Sequence, residues 1–150
     1  MRNPAVSWRI ILLAVLVGVF LVGGAACVTG TETGDSLVNW MYSWEAASER
    51  AQNENRPVMI SFYTDLCSAC EALDSHTYTD ATLAAFLNEN VVPLKINAGR
   101  SALSMRYDIR AVPTIVFASP DGTAIGGFVG YRDPAEFQQE TEAVLSQWEG

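Results

Sequence analysis

Val58-Met59-Ile60-Ser61-Phe62-Tyr63 is an apolar run rich in β-branched and aromatic side chains, and four residues past its end the chain reads Cys67-Ser68-Ala69-Cys70. A run this short and this apolar predicts a strand buried on both faces. The cysteine pair then falls on the first turn of a helix that follows at once. A buried strand feeding directly into a helix belongs to a layered α/β architecture. With 150 residues, 49% of them hydrophobic, the chain can bury one real core and is too short for two domains. Its aliphatic and aromatic content excludes disorder as the main state.

The rest of the chain supplies the other layers. Ser36 predicts a helix cap, with Leu37, Trp40, Met41, Trp44 and Ala47 at helical spacing behind it, fading near Asn53-Glu54-Asn55 before Pro57. Asp80 caps a predicted helix over Ala81–Asn88. Val91–Ile96 predicts a second strand in spite of Pro93. A short helix follows over Ser101–Tyr107. Strands are predicted over Thr114–Ala118 and Ala124–Val129, separated by the turn Pro120-Asp121-Gly122. Asp133-Pro134-Ala135-Glu136 opens a last helix with a capping box, and Phe137, Thr141, Val144, Leu145 and Trp148 line its apolar face. Trp40, Trp44 and Trp148 are thus expected in the core. No internal repeat is visible.

The amino-terminal end reads differently. Arg2 and Arg9 precede 19 uncharged, mostly apolar residues, Ile10–Val28, which as a helix would span about 28 Å. The stronger part, Ile10–Val22, fits a signal-peptide core, and Gly23-Gly24-Ala25-Ala26-Cys27 follows. This resembles a bacterial lipoprotein signal, with Cys27 as the residue that would be lipidated, although Gly24 stands where a larger aliphatic residue is usual. An uncleaved anchor and simple secretion remain open. Residues 1–28 are therefore read as a signal peptide or membrane anchor, 29–36 (TGTETGDS) as a flexible tether and 37–150 as the domain. All three readings place the domain outside the cytoplasm, because Arg2 and Arg9 stay inside and no Lys or Arg follows until Arg50. The net charge of −8 excludes a broad nucleic-acid surface.

The chemistry lies in the cysteines. At a helix start, unpaired N–H groups and the positive helix end stabilise a thiolate and lower a cysteine pKa from about 8.5 towards about 3.5–7.5. The spacing lets one sulfur reach the other. A permanent structural disulfide and half of a metal site are the alternatives. Zinc would need two further ligands, and Cys27 and His76 form a poor set. Asp65 and Glu71 flank the pair. As anions they would raise the pKa of Cys67, and Glu71 is a candidate for proton transfer. His76 reads as a surface histidine at a helix end, and Tyr63 as either a substrate-facing or a core aromatic.

Val112-Pro113-Thr114 enters the third predicted strand, where a proline can be cis. With the strand, the CxxC, this Val-Pro-Thr, Lys95 in Val-Pro-Leu-Lys-Ile-Asn, Asp121-Gly122 and Gly130, residues 57–130 resemble the thioredoxin family. More narrowly they are similar to its extracytoplasmic branch, typified by the carboxy-terminal domain of DsbD-type transmembrane thiol:disulfide interchange proteins. His76-Thr77-Tyr78-Thr79-Asp80 and the aromatic-rich start fit that branch.

The resemblance implies a thioredoxin-like fold, a central mixed sheet of about four strands flanked by helices. It implies a thiol-disulfide oxidoreductase in which Cys67 attacks and Cys70 resolves, while Val112, Pro113 and Thr114 receive the substrate backbone. Partners would be protein thiols or disulfides and a membrane electron donor. No dissociable cofactor and no resident metal are expected, because the cysteine pair carries the electrons. A binding or copper(I)-delivery module without turnover, and a disulfide oxidase, remain as alternatives. Met59 and Met105 read as core positions rather than metal ligands. The chain departs from the family at Leu66, where a Trp is usual, at Ser61, where a buried Asp is usual, at Ser75, where a Pro is usual, and at Ser68-Ala69, where Gly-Pro is usual. These departures bear on rate, potential and partner, and leave both sulfurs in place.

Overall fold

Strand β1 (Val58–Tyr63) lies at the centre of the sheet. The structure is a computed structural model, and it describes residues 36–149. The segment read as signal or anchor, Cys27, and all of the tether except Ser36 lie outside the described residues. β1 pairs in parallel with β2 (Val92–Asn97) and antiparallel with β3 (Thr114–Ala118), which pairs antiparallel with β4 (Ala124–Val129). The order is β2-β1-β3-β4, the mixed four-stranded sheet expected.

Alternation along the strands sorts the core into two layers. Val58, Ile60 and Phe62 of β1 share one face with Val92, Leu94, Ile96, Val116 and Ala118. Met59 shares the other with Ile115, Phe117 and Phe128. Helix α1 (Trp44–Glu54) covers the first face with Ala47 and Ala51, both fully buried. Small side chains there let the helix backbone approach the sheet. Ser43 caps its start, and Asn55 ends it in the left-handed region at φ 49°. The second face is covered by α2 (Ser68–Ala72), the π-helical turn Leu73–Thr77 that extends it, α3 (Ala81–Asn90) and α5 (Pro134–Leu145). Edge-to-face contacts tie this layer together, with ring centroids 4.8 Å apart for Trp40–Tyr78, 5.6 Å for Tyr78–Phe137 and 5.0 Å for Phe128–Phe137. A 3-10 turn (Ala98–Arg100) and the short α4 (Leu103–Arg106) connect β2 to β3. Asp80 and the Asp133–Glu136 capping box start their helices as the sequence indicates.

The amino-terminal helix starts later than its spacing predicts. Residues 36–43 are not helical. Met41 instead bridges Leu94: its N–H donates to Pro93 (2.8 Å), and its carbonyl accepts from Lys95 (2.9 Å). The open edge of β2 offers hydrogen bonds that outweigh the periodicity of the apolar residues. The Ser36 hydroxyl accepts from the Trp40 indole at 2.9 Å and caps no helix. The same edge explains Pro93. Its missing N–H faces outward, towards Met41, and costs β1 nothing.

Two other core assignments need correction. Met105 is 80% exposed on α4, whereas Met59 is fully buried. Trp148 lies beyond the end of α5 and is half-buried, while Trp40 and Trp44 are half-buried at the core margins. Among the described residues, no helix is long and apolar enough to cross a membrane.

Gly127, opposite Val116, has its backbone pressed against β3, and a Cβ there would meet the Ile115 carbonyl oxygen at 2.1 Å. Gly127→Ala therefore forces the β3–β4 pair apart. The expected loss is about 2 kcal/mol or more in urea unfolding, and an unchanged midpoint would refute the close approach.

Candidate active site

Where β1 ends, Thr64-Asp65-Leu66 turns the chain, and Cys67 becomes the N-cap of α2. Its backbone is extended (φ −141°, ψ 96°), and the N–H of Cys70 donates to its Sγ at 3.1 Å. A sulfur thus occupies the capping place normally taken by Ser or Asp. Cys67 and Cys70 are joined in a disulfide, with Cα atoms 5.2 Å apart. The two sulfurs are not equivalent. Cys67 is half-buried, whereas Cys70 is 5% exposed. Leu66, just before the pair, is 98% exposed and packs on nothing.

The turn is held by polar contacts instead. Asn97 Nδ2 donates to Asp65 Oδ1 at 2.9 Å, and Arg100 donates to Asp65 Oδ2 at 2.5 Å. Asn97 ends β2 opposite Tyr63, so the clamp joins the ends of two adjacent parallel strands.

Thr114, the first residue of β3, pairs with Phe62 and brings Pro113 to the same end of the sheet. The Val112–Pro113 peptide bond is cis. Pro113 is buried and Val112 half-buried. Thr114 Oγ1 donates to the Ala111 carbonyl (2.7 Å), and the Gly130 N–H donates to the Pro113 carbonyl (2.8 Å). Gly130 has φ 94°, a conformation that favours glycine. Among the described residues, no hydrogen bond engages the backbone N–H or C=O of Val112.

A polar stripe crosses β1 and β2 at Ser61 and Lys95. Ser61 and Tyr78 share a buried hydroxyl–hydroxyl hydrogen bond of 3.1 Å. Lys95, opposite Ser61 on β2, reaches Asp74 at 2.5 Å, with its ammonium 5.7 Å from the Trp40 ring centroid and 5.3 Å from that of Tyr63. Asp74 lies four residues after Cys70, one helical turn on along the same side. Glu71 is exposed, and no side-chain hydrogen bond engages it among the described residues. Asp74, a carboxylate that the sequence reading passed over, is held by Lys95 rather than left to solvent. His76 is exposed at the end of the π turn, and Tyr63 is a half-buried rim aromatic beside Lys95. Among the described residues, no group of three or more His, Cys, Asp or Glu is arranged to hold a metal.

A family model for the thioredoxin-like domain matches residues 44–145, which includes every element from α1 to α5. The chain belongs to the thioredoxin-like family. The thioredoxin-like domain with its CxxC disulfide places it in the thiol-disulfide oxidoreductase class. It is 32% identical over 105 residues to a Caenorhabditis elegans protein named probable thioredoxin-2, covering 69% of this chain and 70% of that one. It is 29% identical over 99 residues to the thiol:disulfide interchange protein DsbD of Yersinia pestis, covering 61% of this chain. That match spans only 16% of the DsbD protein. The solution structure of a thioredoxin from Thermus thermophilus superposes with a TM-score of 0.66 at 25% identity, covering 75% of this chain and 90% of that one.

Within this thioredoxin-like domain, Ser61 occupies the strand position where the family resemblance would place a carboxylate, and Tyr78 hydrogen-bonds to it. Complete burial raises the Tyr78 pKa above the usual 10.0, the Ser61 hydrogen bond lowers it, and the Asp74 charge raises it further. The unfolded chain therefore loses this proton near pH 10, while the fold retains it. The resulting stability is fully present below about pH 10 and is lost as pH rises above it, at about 1.4 kcal/mol per pH unit. Tyr78→Phe is expected to cost about 1 kcal/mol at neutral pH and to flatten the loss above pH 10, as read from urea midpoints. An alkaline slope equal to the parent's would refute the assignment.

Proposed function

We propose that the chain is an extracytoplasmic, membrane-tethered thiol-disulfide oxidoreductase that reduces disulfides in client proteins. The difference in exposure between the two sulfurs carries this reading: Cys67 is open to a client and Cys70 is buried behind it. In the reduced state, the Cys67 thiolate, stabilised by the Cys70 N–H, attacks one sulfur of a client disulfide. A Cys67–client mixed disulfide forms, and the other client sulfur leaves as a thiolate. The Cys70 thiolate then attacks Cys67 Sγ, releases the second client sulfur and closes the Cys67–Cys70 disulfide. Two electrons pass to the client, and an external dithiol must restore them. No dissociable cofactor takes part.

Val112, Pro113 and Thr114 form the client-backbone rim. The unengaged peptide groups of Val112 support this, because an extended client segment can pair with them. Glu71, next to Cys70 in sequence, and Asp74, four residues after it, are the candidate acids for proton exchange with Cys70.

The extracytoplasmic location and the tether rest on the charge pattern of residues 1–28, on Cys27 as a lipidation candidate and on the similarity to DsbD. A tether would hold the domain near a membrane electron donor and raise the rate of encounter. Reduction is the preferred direction because the same similarity supports it.

The test is the reduction potential of the Cys67–Cys70 pair in the purified full chain, equilibrated in thiol redox buffers, together with insulin reduction. A potential near about −270 mV is expected of a reductant, whereas one near about −120 mV would make the domain an oxidase. Cys67→Ser is expected to abolish insulin reduction. Cys70→Ser is expected to trap the mixed disulfide. Turnover retained in Cys67→Ser would overturn the mechanism. Absence of a reversible two-electron couple, with stoichiometric copper(I) uptake in its place, would favour the binding module.

A further inference from the structure

Asp65 poses an electrostatic problem for the attacking sulfur. It lies two positions before Cys67, with only Leu66 between them, which limits their Cα atoms to within about 7 Å. That is inside the Debye length of about 8 Å at physiological ionic strength. A free carboxylate this close to the sulfur along the chain opposes formation of the Cys67 thiolate. The clamp supplies the answer. Arg100, on the 3-10 turn after β2, holds Asp65 Oδ2 at 2.5 Å, while Asn97 holds Oδ1 at 2.9 Å. The two ionic side chains are 75% and 57% exposed, so neither supports the core.

Of the other charges near the cysteines in sequence, Glu71 and His76 are exposed and in no ion pair among the described residues, and the rest are paired. Asp74, farther along the helix, is matched by Lys95. On the segment entering β3, Arg110 pairs with Asp108. Beyond Gly130, Arg132 pairs with Glu140 and donates to the carbonyls of Val129 and Tyr131.

We propose that Arg100 is a positioning residue for the reactive cysteine: it neutralises Asp65 and pins the turn, so that the Cys67 thiolate forms beside a cancelled charge. The proposal rests on Cys67 being the attacking sulfur. It extends that reading to a residue 33 positions away in sequence, contributed by a different strand–helix connection. The step it controls is loss of the Cys67 proton to solvent in the reduced protein, before any client sulfur is attacked.

The sign of the effect separates electrostatics from scaffolding. Arg100→Gln leaves Asp65 as an uncompensated anion, which lowers the thiolate fraction and moves the Cys67 titration to higher pH. Asp65→Asn leaves Arg100 as an uncompensated cation, which moves it to lower pH. For exposed charges at this separation each shift is expected to be about three-fold in thiolate fraction. The double variant returns close to the parent, and Arg100→Lys, which keeps the charge, stays close to it as well. A purely structural clamp would instead move both single variants the same way, because each loosens the same turn.

The experiment uses the reduced full chain. Iodoacetamide alkylation of Cys67 is followed against pH by peptide-resolved mass spectrometry, which separates it from Cys27 and Cys70. Opposite shifts in the two single variants, shrinking in about 1 M KCl, are the expected result. Shifts of the same sign, or none in either variant, would overturn the proposal. The parent protein's reversible couple and insulin turnover are measured alongside. Their absence would sink the oxidoreductase reading itself, whereas same-sign shifts in a redox-active parent would sink only the role of Arg100.

Discussion

Strand β1 must bury both faces and still lead to a sulfur only half-buried, and much of the architecture follows from that demand. Its alternate residues feed two separate core layers, so helices are needed on both sides of the sheet. Its neighbours on either side, β2 and β3, fix its register at Phe62 and Tyr63. The turn that follows therefore starts from an immobile point. Three residues later Cys67 caps α2, and the N–H of Cys70 is directed at its sulfur. The cysteine geometry is thus an end effect of sheet packing: the core places the strand end, and the cap places the sulfur.

The same strand ends gather the rest of the site. Parallel pairing with β2 sets Asn97 beside Tyr63 and brings Arg100 to Asp65. Antiparallel pairing with β3 sets Thr114 beside Phe62 and brings in cis-Pro113. One end of one strand therefore collects residues from three connections. Where the family resemblance places an aromatic residue before the first cysteine, this chain has a solvent-exposed Leu66 and an ionic clamp at Asp65. Polar contacts do the holding that apolar packing at Leu66 does not.

Much of this was legible from the sequence. The bounds of β1, β3 and β4 follow from runs of β-branched and aromatic residues closed by turn signals. The caps at Asp80 and Asp133 follow from side-chain chemistry. These are local signals, and the structure preserves them. The helix predicted from Ser36 was not preserved. Leu37, Trp40 and Met41 have helical spacing, but Met41 is taken by the open edge of β2, and no property of residues 36–43 announces that edge. Met105 reads as apolar core and lies exposed because Leu103 and Tyr107 are the residues of that segment packed against the core. The cysteines and Pro113 were legible as motifs. The pairs Asp74–Lys95 and Asp65–Arg100 were not, since their partners are 21 and 35 residues apart and meet only through sheet register. Asp74 alone left a trace, in its four-residue spacing from Cys70.

The charge distribution follows a consistent rule. The whole chain carries −8, yet each of the seven Lys and Arg residues between 36 and 149 is engaged. Arg50 and Arg56 pair with Glu54, Lys95 with Asp74, Arg100 with Asp65, Arg110 with Asp108 and Arg132 with Glu140. Arg106 lies over the Trp44 and Tyr107 rings and donates to the carbonyls of the Asp121-Gly122 turn. With so few cations, their placement decides where negative charge is cancelled. Two of the three carboxylates nearest the cysteines in sequence, Asp65 and Asp74, receive one, and only the exposed Glu71 does not. An acidic surface would otherwise disfavour a thiolate at Cys67 and an ionised Cys70 alike. Two of the seven cations sit at these positions, so the hydrogen bond from the Cys70 N–H reaches the Cys67 sulfur beside paired rather than free carboxylates at Asp65 and Asp74.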